Sequence, residues 1–165
     1  MQDKQDKPVT SINITDNVAL ITIDNLPSEM NIVPDILSTI AAKGINVDMI
    51  TQIPPLKGTM SLSFSIPADD LVKALEALQV YRKNTKDVKI EIDAENTKFQ
   101  IYGEGMRNMP GVAARLFKAL SKEAVEIKLV TTSEVDISLL VYPKDVDRAL
   151  AAIEEEFGIK ANQGL

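Results

Sequence analysis

The 165-residue chain contains no cysteine and no histidine, and these two absences remove more chemistry than any motif search. They leave no disulfide framework, no thiolate nucleophile, no zinc site with nitrogen or sulfur ligands and no imidazole base for a serine triad. A carboxylate or lysine mechanism stays open. Positive charge is scarce as well: 18 Lys and Arg stand against 24 Asp and Glu, a formal net charge of −6. With no basic excess to release counterions from a phosphate backbone, nucleic acid is not an expected partner. No apolar run approaches the roughly 18 residues of a membrane span. The stretch Met1 to Pro8 is polar, unlike the charged-then-apolar pattern of a secretion signal. The expectation is a cytoplasmic chain with no membrane partner.

What is present is ordinary for a globular protein, with 45% hydrophobic and 25% charged residues, so disordered and fibrous classes are set aside. A chain of this length holds one ordinary core, or two small ones of about 75 residues each that lean on one another.

An internal repeat favours the second arrangement. Sliding the sequence on itself by 80 positions lays Ile21 on Ile101, Leu26 on Met106, Ile36-Leu37 on Leu116-Phe117 and Ile40 on Leu120. Gly44 to Thr51 then falls on Ala124 to Thr131 without a gap. After that the offset becomes 75, and Met60, Leu62, Phe64 and Ile66 meet Val135, Ile137, Leu139 and Val141. The second copy is five residues shorter in the loop that holds Pro54-Pro55-Leu56-Lys57-Gly58. Two copies at so long a period indicate duplicated domains rather than a solenoid.

Within the first copy the hydrophobic period alternates between its two standard values. Val18 to Ile23 reads as a strand. Ile32, Val33, Ile36, Leu37 and Ile40 mark a helix face, with Asn31 as N-cap and Gly44 as the stop. Val47 to Ile53 and Met60 to Ile66 read as two more strands, the latter apolar on one face and serine on the other. Leu71, Ala74, Leu75 and Leu78 mark a second helix, with Asp69 and Asp70 set against its dipole, and Val88 to Asp93 supplies a fourth strand. The order is βαββαβ, an α+β class with an antiparallel sheet and helices on one face. The second copy repeats it from Phe99 to the helix face ending at Phe157, which Gly158 closes. Nothing after Ile159 matches the fourth strand, while Val9 to Thr15 is an unpaired strand at the other end of the chain. The expected domains are therefore 17–95, and 9–16 plus 96–160 completed by the N-terminal strand. Residues 1–8 and 161–165 are expected to be flexible termini. Deleting Met1 to Lys7 should be harmless, whereas removing Thr10 to Thr15 should expose an edge of the second unit.

The loops carry a resemblance. Gly103 to Ala114, reading Gly-Glu-Gly-Met-Arg-Asn-Met-Pro-Gly-Val-Ala-Ala, with Thr132-Ser133-Glu134-Val135-Asp136-Ile137-Ser138, resembles the second ACT domain of aspartokinase. Ile45 to Ile50 with Gln52 resembles that family's first ACT domain, and Pro8 to Ile12 resembles the strand leading into the pair. The similarity covers the whole chain and lacks the family's amino-kinase domain. It implies two ferredoxin-like ACT units, a length like that of the short regulatory subunit, no catalytic residues and no cofactor. It further implies feedback control by lysine and/or threonine bound where ACT domains meet, association as a homodimer, and action on an aspartokinase catalytic subunit or domain.

The implied ligand-binding residues are Ser28, Met30, Asn31, Ile32, Asn46, Val47, Asp48 and Gln52 in the first unit. In the second they are Met109, Gly111, Val112, Glu126 and Ile127. A free amino acid needs backbone N–H groups at a helix start for its carboxylate and acceptors for its ammonium. The first role goes to the turn Met30 to Ile32, the second to Asn46, Asp48 and Gln52. The family's first loop reads Pro-Asp-Lys-Pro-Gly; here Ser28 stands in place of its carboxylate and Asn31 in place of its glycine. Glu126 stands in place of the second unit's asparagine. An interaction-only dimerisation module with degenerate loops is the alternative. The Gly103-x-Gly105 pair is read as a strand-to-loop bend rather than a phosphate loop, and Glu154-Glu155-Glu156 as a solvated face.

Overall fold

The computed structural model describes residues 7–162. They form two compact units, one spanning Asn17–Glu95 and the other joining the residues up to Asp16 with those from Asn96 onward. Two long strands serve both. Strand β1, Ser11–Pro27, gives its first part to the discontinuous unit and its remainder to the 17–95 unit, and β4, Lys89–Tyr102, is shared likewise. The sequence pattern reads each as two strands, because Thr15-Asp16-Asn17 and Asp93 to Thr97 interrupt the apolar alternation. Where the two strands pass from one unit to the other, the Thr97 hydroxyl donates to Asp16 Oδ1 at 2.8 Å. Asn17 takes a left-handed φ of 56° there, a conformation asparagine tolerates better than most residues.

In the 17–95 unit the chain continues through α1 (Ile32–Ala42), β2 (Ile50–Leu56), β3 (Thr59–Pro67) and α2 (Leu71–Asn84). The strand order is β2-β3-β1-β4. β3 lies antiparallel to both neighbours, with Ile21 opposite Phe64 and Thr51 opposite Ser63. The core combines Ile21, Ile23 and Leu26 of β1 with Leu62, Phe64 and Ile66 of β3, closed by Ile36 and Ile40 of α1 and Ala74 and Leu78 of α2. The hydroxyl face of β3 is internally bonded: Thr22 Oγ1 and Ser63 Oγ lie 3.0 Å apart, and the Ser61 hydroxyl donates to Asp24 Oδ1 at 2.5 Å.

Two expectations need correction here. Asn31 occupies the cap position of α1 but sits in right-handed helical geometry, and its side chain makes no capping bond. The strand expected from Val47 begins only at Ile50 and runs on through Pro54 and Pro55 to Leu56. Ahead of it, Asp48 N–H donates to Ser65 O at 3.0 Å and Met49 N–H to the Ser65 hydroxyl at 3.0 Å, a local pairing short of a ladder. β2 is the outer strand of its unit, where a proline costs no ladder bond.

The discontinuous unit adds α3 (Val112–Lys122), β5 (Ile127–Thr132), β6 (Asp136–Val141) and α4 (Val146–Phe157), with strand order β1-β4-β6-β5. Thr10, just ahead of β1, and the start of β1 lie against the end of β4: Thr10 N–H donates to Tyr102 O at 2.8 Å, and Asn13 Nδ2 to Gln100 Oε1 at 3.4 Å. Val9 and Ile12, both fully buried, join Phe99, Ile101, Leu116, Leu120, Leu139 and Ile153 in one core. The expected flexible ends fall at 1–6 and 163–165 outside the described residues. The described part of the last stretch is tied down, with Ala161 N–H donating to Glu154 Oε1 at 2.9 Å and Asn162 N–H to Ile12 O at 3.0 Å. The acidic run is likewise more than a solvated face. Glu154 takes Lys160 Nζ at 2.6 Å and Glu156 takes Arg115 Nε at 2.7 Å. The Lys160 bond, with Ala161 N–H, holds the Glu154 carboxyl below the usual carboxylate range.

The turn after each first helix shows the repeat at backbone level. Gly44 closes α1 with φ 71°, and its counterpart Ala124 after α3 adopts φ 51° although it carries a Cβ. A left-handed non-glycine residue costs about 1 kcal/mol. Ala124→Gly should therefore leave the fold unchanged and raise the melting temperature by about 2 °C once the greater freedom of the unfolded chain is subtracted. Differential scanning calorimetry on the two proteins checks this, and a lower melting temperature would refute it.

Candidate functional site

The residues singled out in the first unit separate into two groups. Ser28, Met30 and Gln52 come together around an open cavity of about 460 Å³ at the start of α1. Glu29, Val33, Pro34, Pro55 and Met60 complete its lining. The register explains the meeting: Leu26 faces Met60 and Pro27 faces Thr59, so the loop leaving β1 lies beside the start of β3. Gln52, opposite Leu62 on the neighbouring strand, then turns its amide toward Met60, with Nε2 4.0 Å from the sulfur. Met30 is 95% exposed at the rim.

Asn31, Ile32, Asn46, Val47 and Asp48 do not line this cavity. Asn31 spends its carbonyl on Asp35 N–H at 2.9 Å. Ile32 packs its side chain on the core and donates its N–H to Glu29 O at 3.3 Å, so one donor assigned to a ligand carboxylate is already engaged. Val47 packs on the core, and Asp48 pairs its backbone with Ser65. Sequence reasoning missed Glu29, Val33, Pro34, Pro55 and Met60. The alternation of β3 assigns Met60 to the apolar face, but only the pairing of β3 with β1 shows that this end of the face opens beside the loop.

The second unit presents a different picture. Gly111 takes φ 91° at the cap of α3, a left-handed position that suits glycine, while Val112 is buried in the core and Met109 and Ile127 pack against it. Glu126 is exposed ahead of β5. None of these five lines the groove of about 270 Å³ in this unit, which runs between α3 and α4 past Lys122, Glu123, Glu155 and Glu156. The glycine pair does more than bend the chain. A Cβ on Gly103 would overlap the Pro8 carbonyl and come within 2.8 Å of Val9 Cα, so the backbone of Pro8 and Val9 lies directly on this glycine. Gly105 receives the Lys7 carbonyl in the same way, with only 2.5 Å between that oxygen and a would-be Cβ. Beside the pair, the Tyr102 hydroxyl donates to Glu104 Oε1 at 2.7 Å, a bond that raises the phenol's pKa.

An antiparallel sheet with helices packed on it, in the order βαββαβ, defines a ferredoxin-like domain of the ACT class. The ACT domain family model matches residues 99–157. The chain is 32% identical, with a TM-score of 0.82, to a chain in the crystal structure of aspartokinase alpha and beta subunits, covering 92% of this chain and 99% of that one. It is 28% identical to the ligand-free regulatory subunit of aspartate kinase from Thermus thermophilus, with a TM-score of 0.84 and coverage of 92% and 99%. Aspartokinase 2 of Bacillus subtilis is 32% identical over 154 residues, which are 93% of this chain and 38% of that protein. The chain belongs to the aspartokinase family and corresponds to its regulatory ACT part, not its catalytic part. It spans well under half the length of the curated aspartokinases it matches. Among the described residues no helix is long and apolar enough to cross a membrane.

Proposed function

We propose that this chain is the effector-sensing part of an aspartokinase, which binds a free amino acid, pairs with a second copy of itself and acts on an aspartokinase catalytic subunit or domain. Lysine and/or threonine are the effectors the family resemblance implies. The observation that carries the reading is the cavity at the start of α1, where Ser28 and Met30 meet Gln52 in a chain of regulatory type. The first turn of a helix favours a carboxylate, and Glu29 and Gln52 offer acceptors to an ammonium. No cofactor enters this reading, and its setting is the cytoplasm.

Restoring the lost acid tests it. Ser28→Asp should tighten lysine binding about tenfold, because a charge-assisted bond exceeds a neutral one by about 1.4 kcal/mol. Titration calorimetry reads the change. If neither parent nor variant binds any amino acid at millimolar concentration, the interaction-only module is the better description.

Self-association is supported by the apolar side chains along outer strand β2, where Ile53 is 58% and Leu56 73% exposed. An exposed apolar edge strand is a template for pairing. Sedimentation should show a dimer at about 50 µM, a concentration at which contacts of micromolar affinity persist, and Ile53→Lys with Leu56→Lys should shift it to monomer. A parent that is strictly monomeric there would remove self-pairing from the proposal.

A further inference from the structure

The composition of the cavity at the start of α1 narrows the ligand class. Its walls include Met30, Val33, Pro34, Pro55 and Met60, and its polar groups are Ser28, Glu29 and Gln52. Glu29 is the single formally charged side chain among these residues, and no lysine or arginine is present. The volume of about 460 Å³ lies within the usual range for small-ligand sites. We infer that this cavity takes a free amino acid whose side chain is uncharged and apolar, of the size of leucine or methionine. The inference rests on the reading of the chain as an amino-acid sensor.

The argument is one of counting charges and filling walls. A zwitterion brings one ammonium and one carboxylate. Glu29 meets the ammonium. The carboxylate is met at the first turn of α1, where Ile32 N–H is engaged by Glu29 O and Pro34 has none, leaving Val33 to donate. A lysine brings a second ammonium. With Glu29 given to the first, the second meets no second carboxylate among the lining residues, only the neutral Ser28 and Gln52 and the apolar walls. Threonine avoids that penalty but is too short to cover Met30 and Met60, and each methylene group left unburied loses about fourfold in affinity. Methionine walls are flexible and polarizable, so the site should accept straight and branched apolar side chains alike.

Titration calorimetry on the full chain with methionine, leucine, lysine and threonine provides the test. Methionine or leucine should bind about tenfold more tightly than threonine, the yield of one to two buried methylene groups, and more tightly than lysine, whose second ammonium finds no second carboxylate in the lining. Glu29→Gln, at an exposed position, should weaken binding of methionine and leucine while circular dichroism stays unchanged. Met60→Lys should abolish it, and because Met60 packs on the core its melting curve is recorded alongside. Lysine or threonine binding as tightly as methionine would overturn the apolar class and leave the sensor reading intact. No heat from any amino acid at about 10 mM, a concentration at which even millimolar affinity would register, would overturn both. Methionine binding that survives both Glu29→Gln and Met60→Lys would place the site elsewhere and also overturn the inference.

Discussion

Gly103→Ala should cost about 3 kcal/mol, the upper part of the range for forcing atoms into a filled space, and lower the melting temperature of the protein by roughly 10 °C. The reason is contact, not backbone strain. Gly103 has φ −178°, extended backbone open to any residue, and its N–H donates to Val135 O at 2.9 Å. What forbids a side chain is the main chain of Pro8 and Val9 lying across it, and main chain cannot step aside as a side-chain tip can. Val9 is fully buried, so a shift of that segment also disturbs the core. Gly111→Ala is the matched control. Its φ of 91° makes alanine strained, but nothing lies within 4 Å of the added Cβ, so the loss should be near 1 kcal/mol. If the two variants melt alike, the segment from Lys7 to Val9 is not seated on these glycines.

Removal of Thr10 to Thr15 should have a larger effect still, abolishing cooperative unfolding of the discontinuous unit. The deletion takes away Ile12, which is fully buried, and the strand that satisfies the outer side of β4 through Thr10 with Tyr102 and Asn13 with Gln100. It also takes away the acceptor of Asn162 N–H, releasing the end of the chain. Exposed apolar core and an unpaired strand edge favour aggregation, so the variant is best followed by hydrogen exchange as well as by melting. Amides of β4 from Phe99 to Tyr102 should lose protection while those of β3 keep theirs. Ile12→Ala gives the graded version, at about 3 kcal/mol for a buried aliphatic truncation. Full protection of β4 after the deletion would show that β1 contributes nothing to that unit.

The elements themselves were legible because their signals are local. The alternation Met60, Leu62, Phe64, Ile66 marks a strand whichever partner it meets, and the spacing Ile32, Ile36, Ile40 marks a helix face in any fold. Gly44 and Gly158 were legible as helix stops for the same reason, both taking left-handed φ. Strand ends were less so. Pro54 and Pro55 argue for a loop on propensity alone, and only the position of β2 at the outside of its sheet makes them acceptable within a strand.

The candidate site divides along the same line. Ser28, Met30 and Gln52 were reachable from the loop and strand that resemble the family, while Met60 and Pro55 are remote in sequence from the start of α1. Asn46 and Asp48 follow from the resemblance of Ile45 to Ile50 to the family, yet the backbone of Asp48 is committed to Ser65, and neither residue lines the cavity.

The sequence by itself determined the duplication, the βαββαβ order, the absence of thiol and imidazole chemistry and the resemblance to aspartokinase regulatory regions. Each depends on residue identity and on spacing along the chain, which need no partner to be read. Tertiary structure alone decided that β1 and β4 run unbroken through their polar middles, that the Gly103 and Gly105 surfaces carry the backbone of Lys7 to Val9, and that Ser28, Glu29 and Gln52 share one cavity beside α1 with Met30 and Met60. These follow from which strands pair and in what register. That is set by burial summed over whole cores, a quantity no local window of sequence contains.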